Sequence, residues 1–154
     1  MTCISYERMQ EREKMFLFDT DVITNILKKS PSGILLKKLA GLPRTKQYIS
    51  TITVSEIVYG AVKSNRPEYH LNNLEHLLLP SVNLVGFDTK AACVCGRLRA
   101  ELEKKGQRLD LADLEIAGIA IAGDFTLVTG NVRHFGRIDG LKVENWLQLD
   151  SPFP

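Results

Sequence analysis

The segment Phe16-Leu17-Phe18-Asp19-Thr20-Asp21-Val22-Ile23 is the clearest structural signal in this chain. The three consecutive apolar residues 16–18 are typical of a short strand that is buried on both faces of a parallel sheet. Asp19 ends this run, and apolar residues with helical spacing follow over 22–29. A buried strand that passes directly into a helix predicts an α/β architecture.

The alternation of strands and helices continues along the chain. Strands are predicted at 16–18, 48–52, 82–85, 125–128 and 141–143, and helices at 22–29, 34–40, 53–62, 66–79, 89–105 and 112–122. Thr53 or Ser55 is the expected N-cap of the third helix, which places Glu56 in its first turn. The pattern predicts a three-layer α/β sandwich whose mainly parallel sheet of about four or five strands is flanked by helices.

The length and composition fit one globular domain. The chain has 154 residues, of which 44% are hydrophobic and 25% charged, and we expect a single domain over 15–150 with an extension outside the core at 1–14. The sequence contains neither an apolar run of membrane-spanning length nor a secretory signal, so we expect a cytoplasmic protein that does not bind a membrane. The formal net charge of +2 is too small to identify a nucleic-acid partner.

Three acidic residues stand out among the eighteen of the chain. Asp19, Glu56 and Asp113 lie at a strand end or near a helix start, where the chain reaches the ligand-binding edge of such a sheet. Helix capping explains Asp19 and Asp113 about equally well in isolation, and the helix dipole does so for Glu56. Asp110 and Glu115 compete with Asp113 for any role.

Polar residues also end the fourth predicted strand, at Thr129 and Asn131, although a turn is the ordinary explanation of such an asparagine. Three carboxylates and an amide form a set of hard oxygen ligands, which suits Mg²⁺ or Mn²⁺ better than Zn²⁺. The three cysteines and three histidines are not spaced as zinc ligands or as a disulfide framework. The sequence therefore predicts a site for phosphate chemistry that depends on a divalent ion.

The motifs in this order resemble the PIN domain, specifically the VapC-type ribonuclease toxins. The matching segments are Phe18-Asp19-Thr20-Asp21-Val22-Ile23, Ile52-Thr53-Val54-Ser55-Glu56-Ile57-Val58-Tyr59-Gly60, Asp113-Leu114-Glu115-Ile116-Ala117-Gly118, Leu127-Val128-Thr129-Gly130-Asn131-Val132-Arg133-His134-Phe135 and Gly140-Leu141-Lys142-Val143-Glu144-Asn145-Trp146. Two positions depart from the family pattern. Asp21 stands where the family commonly has Asn, and Asn131 stands where many members have a fourth Asp.

The resemblance implies a Rossmann-like PIN fold, a homodimer, and the toxin half of a type II toxin–antitoxin system whose cognate VapB-type antitoxin neutralises it. It also implies a Mg²⁺-dependent endoribonuclease that hydrolyses RNA, with Mn²⁺ as a possible substitute. Asp19, Glu56 and Asp113 are then the expected metal ligands and catalytic residues. Thr129 and Asn131 are the expected catalytic residues that orient water or a carboxylate.

Two other interpretations remain open at this point. The first is a catalytically inactive PIN-like module that binds RNA or protein, against which the three intact carboxylates argue. The second is a phosphatase or nucleotide-binding α/β protein, but the sequence contains no Gly-rich phosphate loop of either standard type. An assay of metal-dependent activity on RNA and on a small phosphate ester separates these possibilities.

Overall fold

The computed structural model describes residues 14–148, so the predicted extension at 1–14 lies outside the described residues except for Lys14. Five strands are present in the described chain: β1 Phe16–Phe18, β2 Gln47–Ser50, β3 Asn83–Val85, β4 Thr126–Val128 and β5 Lys142–Glu144. The α-helices are α1 Thr20–Ile26, α2 Gly33–Ala40, α3 Thr51–Lys63, α4 Pro67–Asn73, α5 Thr89–Lys104, α6 Leu111–Ala122 and α7 Val132–Phe135. This order confirms the predicted α/β class.

The strands form one sheet in the order β3-β2-β1-β4-β5, and every neighbouring pair is parallel. In the register of this sheet, Phe16 pairs with Gln47 on one side and with Thr126 on the other. The chain builds outward from β1 through β2 to β3 and then returns to the opposite side of β1 for β4. The carboxyl end of β1 is therefore a topological switch point, which is where open parallel sheets bind ligands.

Two apolar layers cover the two faces of the sheet. Leu17 points into a core with α5 and α6, whereas Phe16 and Phe18 point into a second core that includes the side chain of Trp146. The indole ring lies 4.9 Å from the ring of Phe16 and 5.6 Å from that of Phe18, measured between centroids. Because β1 is buried on both faces, as its all-apolar sequence predicts, the residue after it is held in a fixed position.

The helix that carries Glu56 begins earlier than the sequence predicts. The expected N-caps are Thr53 and Ser55, but α3 starts at Thr51 and the hydroxyl of Ser50 accepts the capping hydrogen bond from the amide of Thr53, at 3.0 Å. The strand correspondingly ends at 50 rather than 52. Glu56 therefore lies in the second turn of α3, and the predicted interaction with the first-turn helix dipole is wrong.

Other boundaries differ in detail. The helix predicted over 66–79 comprises α4, a π-helical turn at Leu74–Leu78 and a 3₁₀ turn at Leu79–Ser81. The sequence does not predict the short helix α7 after β4, because four residues are too few for a periodic apolar pattern. Within the described part of the chain, no helix is both long enough and apolar enough to span a bilayer.

Candidate active site

Asp19 follows β1 and is held on both oxygens of its carboxylate. Its Oδ1 accepts a hydrogen bond from the amide of Thr20, at 2.8 Å, and its Oδ2 accepts one from the hydroxyl of Thr129, at 2.8 Å. The side chain is only 6% exposed. Asp19 is also the N-cap of α1, so the capping interpretation is correct, but it leaves the burial and the contact with Thr129 unexplained.

Burial raises the pKa of the Asp19 carboxyl to about 7, because the charged form loses its hydration. The hydrogen bond from Thr129 lowers the pKa, whereas the negative charge of Asp21 and, more weakly, that of Asp113 raise it. A carboxylate with this pKa is poorly stabilised by its surroundings. It is therefore a place where a bound cation would be favoured.

Asp113 lies in the first turn of α6, half-buried, and belongs to the same electrostatic cluster. Burial raises its pKa, and the charges of Asp110, Glu56 and Asp21 add to the effect. The N-cap of α6 is Asp110, so the alternative that Asp113 serves as the cap is wrong. Glu115, the other competitor, acts electrostatically on Cys95 instead.

Glu56 is exposed on α3 and is held by a chain of hydroxyl groups. Its Oε1 accepts from the hydroxyl of Thr20 at 2.7 Å, and the Oγ1 of Thr20 lies 3.1 Å from that of Thr53. The hydroxyl of Ser50 in turn donates to Thr53 at 3.3 Å. Because the single proton of Thr20 is used for the carboxylate, Thr53 must donate to Thr20, and the whole chain points toward Glu56.

The loop after β4 reaches Asp19 through Thr129, which is fully buried. The hydroxyl oxygen of Thr129 accepts from the amide of Asn131 at 3.0 Å, while its proton serves Asp19. The amide of Gly130 donates to Oδ2 of Asp21 at 2.9 Å. The side chain of Asn131 bonds to His134 rather than to a carboxylate. Thr129 thus contacts the Asp19 carboxylate directly, whereas Asn131 is linked to it only through its backbone contact with Thr129.

The donor set fits a hard divalent cation, since it consists of carboxylates and hydroxyl groups around a buried negative charge. The arrangement is incomplete, however, because no three Asp, Glu, His or Cys side chains in residues 14–148 converge on one point as metal ligands. Asp19 and Asp113 are the less exposed members, and Glu56 faces solvent. A cation would therefore require a movement of side chains, most easily that of Glu56.

Sequence reasoning misses several contributors to this site. It treats Thr53 only as a possible helix cap and Ser50 only as part of a strand, and it gives Thr20 and His134 no role beyond their place in a motif. No local signal distinguishes a hydroxyl that binds a carboxylate from one that caps a helix. Only the contact across 33 residues between Thr20 and Thr53 identifies the hydroxyl chain.

Comparison with known proteins identifies the family of this chain. The family model of the PIN domain matches residues 16–141. The tRNA(fMet)-specific endonuclease VapC of Salmonella typhimurium is 36% identical over 131 residues, which cover 85% of this chain and 97% of that protein. Ribonuclease VapC2 of Haemophilus influenzae is 34% identical over 134 residues, covering 86% of this chain and 98% of that protein.

A solved structure has the same fold over the same region. The crystal structure of VapBC2 from Rickettsia felis, bound to a DNA fragment from its promoter, superposes with a TM-score of 0.80 at 34% identity. The match covers 86% of this chain and 98% of the other. The carboxylate cleft lies within the matched residues 16–141 of the family model. This chain belongs to the PIN domain family and, within it, to the VapC ribonucleases.

Proposed function

We propose that this chain is the toxin of a toxin–antitoxin pair, an endoribonuclease that hydrolyses RNA in the cleft lined by Asp19, Glu56 and Asp113. The observation that carries the proposal is the buried Asp19 carboxylate at the switch point of the sheet, with its pKa raised to about 7 beside further acidic groups. Folding alone does not require acidic side chains to lie this close together. Hydrolysis of a phosphodiester with a divalent ion does, because the carboxylates bind the ion. The relatives named as ribonucleases and as tRNA(fMet)-specific endonucleases support RNA as the substrate.

Mg²⁺ is the proposed cofactor, held by Asp19, Glu56 and Asp113, with Mn²⁺ as a substitute. When bound, the ion supplies positive charge for the phosphate oxygens and lowers the pKa of a bound water. Thr129 keeps one oxygen of Asp19 in place by donating to it. Thr20 does the same for Glu56. Each carboxylate oxygen that accepts one of these bonds keeps a second lone pair for a further ligand.

The three carboxylates differ in how firmly hydrogen bonds and burial hold them in place. Asp19 is fixed through both oxygens, whereas Glu56 has one described hydrogen bond and is exposed to solvent. Asp113 lies between these extremes, half-buried and without a described hydrogen bond from its side chain. We therefore infer that Asp19 anchors the site, while the other two carboxylates adjust to the RNA.

The experiment that tests this proposal measures cleavage of tRNA(fMet) and of mixed RNA by the purified chain. We expect activity with Mg²⁺ or Mn²⁺ and none with excess EDTA. Asp19→Asn and Asp113→Asn should abolish cleavage. Asp139→Asn is the matched control, since Asp139 is exposed and its one described ion pair is with Lys105, at 3.6 Å.

The inactive binding module, which the similarity to named ribonucleases disfavours, predicts a different result. Such a module would bind RNA or a protein partner equally well with and without the carboxylates, and it would produce no new RNA ends under any condition. Metal-independent cleavage that survives in both Asp variants would contradict the proposed site without contradicting the family.

A VapB-type antitoxin is the proposed partner, supported by the VapBC complex among the similar structures. A cleft of about 280 Å³ opens directly beside Glu56 and is lined in part by apolar side chains of α3 and the end of α1, including Leu27, Ile57 and Ala61. A protein segment seated there would lie against the catalytic carboxylate. Co-expression with the product of the adjacent reading frame should give a complex with reduced ribonuclease activity, and light scattering of the isolated chain should give the mass of a homodimer.

A further inference from the structure

His134 lies at the rim of the carboxylate cleft and takes no part in the proposed metal site. It is carried by α7, the four-residue helix that follows the loop after β4. Its Nδ1 lies 3.0 Å from the amide nitrogen Nδ2 of Asn131, whose backbone amide is bound to the buried Thr129. The exposed imidazole is therefore tied through two short contacts to the residue that holds Asp19.

The hydrogen bond with Asn131 determines which ring nitrogen carries the proton. An amide nitrogen only donates, so Nδ1 must accept, and the neutral ring then carries its proton on Nε2. Within residues 14–148, no group of the protein is found to accept a hydrogen bond from Nε2–H. The ring thus presents a single oriented donor at the edge of the cleft.

The contacts of His134 place its ring close to the acidic residues of the proposed site. His134 contacts the side chain of Asn131, the backbone amide of Asn131 contacts Thr129, and Thr129 donates to Asp19, so the ring lies beside the loop that holds the buried carboxylate. An RNA phosphate that enters a cleft of carboxylates meets electrostatic repulsion, and an oriented neutral N–H offsets part of it. The contact with Asn131 fixes the orientation of the ring.

We propose that His134 is a further catalytic residue of the nuclease, which donates a hydrogen bond from Nε2–H to a phosphate oxygen of the RNA bound in the cleft. This inference rests on the proposed function. A purely structural role is the competing explanation, in which only the contact between Nδ1 and Asn131 matters.

Two amide replacements separate the explanations. Gln places an amide nitrogen where Nε2 stands and loses the acceptor at Nδ1, whereas Asn can place its amide oxygen where Nδ1 stands and has nothing at Nε2. We expect His134→Ala and His134→Asn to lower kcat for tRNA(fMet) cleavage at least about tenfold. His134→Gln should recover most of the loss. His76→Ala is the matched control, because His76 is an exposed histidine whose one described ion-pair contact is to Glu75, at 4.0 Å.

The melting temperatures of the variants must first show that they are folded, and the cleavage rates then distinguish the two explanations. Rescue by Asn but not by Gln would overturn the proposal in favour of the structural role, and wild-type kinetics in all three variants would show that the ring does not touch RNA. If the wild-type chain cleaves no RNA, the proposed function fails and this inference fails with it. Cleavage by the wild type that is lost in Asp113→Asn but unchanged in His134→Ala would overturn the inference alone.

Discussion

Replacing Asp19 by asparagine should make the metal-free protein more stable at pH 8 while destroying its activity. The carboxyl has a pKa of about 7 in the folded chain, against about 3.9 for an unfolded aspartate. At about 1.4 kcal/mol for each pKa unit, this difference of about 3 corresponds to about 4 kcal/mol of lost stability when the group is fully ionised.

The sign of the effect follows from the proton counts of the two states. Below about pH 4 the carboxyl is protonated in both states, and the charge has no effect on stability. Between about pH 4 and 7 the unfolded chain releases its proton while the folded chain keeps it, so the free energy of unfolding falls as the pH rises. Above about pH 7 the whole penalty is present. The side-chain amide of the Asp19→Asn variant does not ionise, so that variant would escape this loss.

The hydrogen bond from Thr129 reduces the gain, because an amide nitrogen at the position of Oδ2 no longer accepts from that hydroxyl. This loss costs about 1 kcal/mol or more at all pH values. We therefore expect Asp19→Asn to be slightly less stable than the wild type at pH 4 and about 2–3 kcal/mol more stable at pH 8.

Urea unfolding in EDTA, followed by circular dichroism at several pH values, measures this difference, and other titrating groups cancel between the two proteins. A stability difference that does not change between pH 4 and pH 8 would refute the reasoning, since it would mean that Asp19 ionises normally. Excess Mg²⁺ provides the second half of the test. It should stabilise the wild type by about 3 kcal/mol at a hundredfold excess over Kd and leave the variant unchanged.

Further predictions concern the groups around this carboxylate and the helices that support it. Thr129→Val should lower the apparent affinity for Mg²⁺ in the cleavage assay about 10–100-fold, because it removes the hydroxyl that orients a ligand. Asp21→Asn should keep near wild-type activity, because its amide oxygen still accepts from the amide of Gly130, whereas Asp21→Ala should cleave more slowly. Gly60→Ala should raise the free energy of unfolding by about 0.5–1 kcal/mol, since its Cβ meets open space on a helix. Gly118→Ala should lower it by about 1–3 kcal/mol, since its Cβ would lie 2.8 Å from a carbonyl oxygen of the neighbouring helix.

The elements that the sequence predicts best are those with an unambiguous local cause. The strand at 16–18 is wholly apolar, and its bounds are confirmed. Asp88, a residue type favoured at N-caps, directly precedes the predicted helix at 89–105 and caps α5 by accepting from the amide of Ala91, at 2.9 Å. Gly106 follows that helix with a φ of +68°, a conformation that favours glycine. In each case a residue type meets a local requirement, namely burial of a strand, a helix N-cap or a positive φ, so the sequence alone is informative.

The start of α3 shows why other boundaries could not be predicted. Ser50, Thr53 and Ser55 are all good N-caps, and Ser50 also has the β-rich neighbours of a strand residue. The choice depends on where β2 stops pairing, which its partner strands determine. A local sequence cannot contain that information, and the position of Glu56 within its helix differs from the prediction as a result.

For Asp19, helix capping and the proposed metal binding are compatible, because both use the same fixed carboxylate. The helix cap uses Oδ1 and the contact with Thr129 uses Oδ2, so a local bond and one that spans 110 residues fix the carboxylate together. A carboxylate fixed in this way can stay buried at the cost of its raised pKa. Glu56 lacks such support and remains exposed. Because Asp19 is fixed and Glu56 is exposed, the proposed metal site would form by movement of Glu56 toward Asp19 and not the reverse.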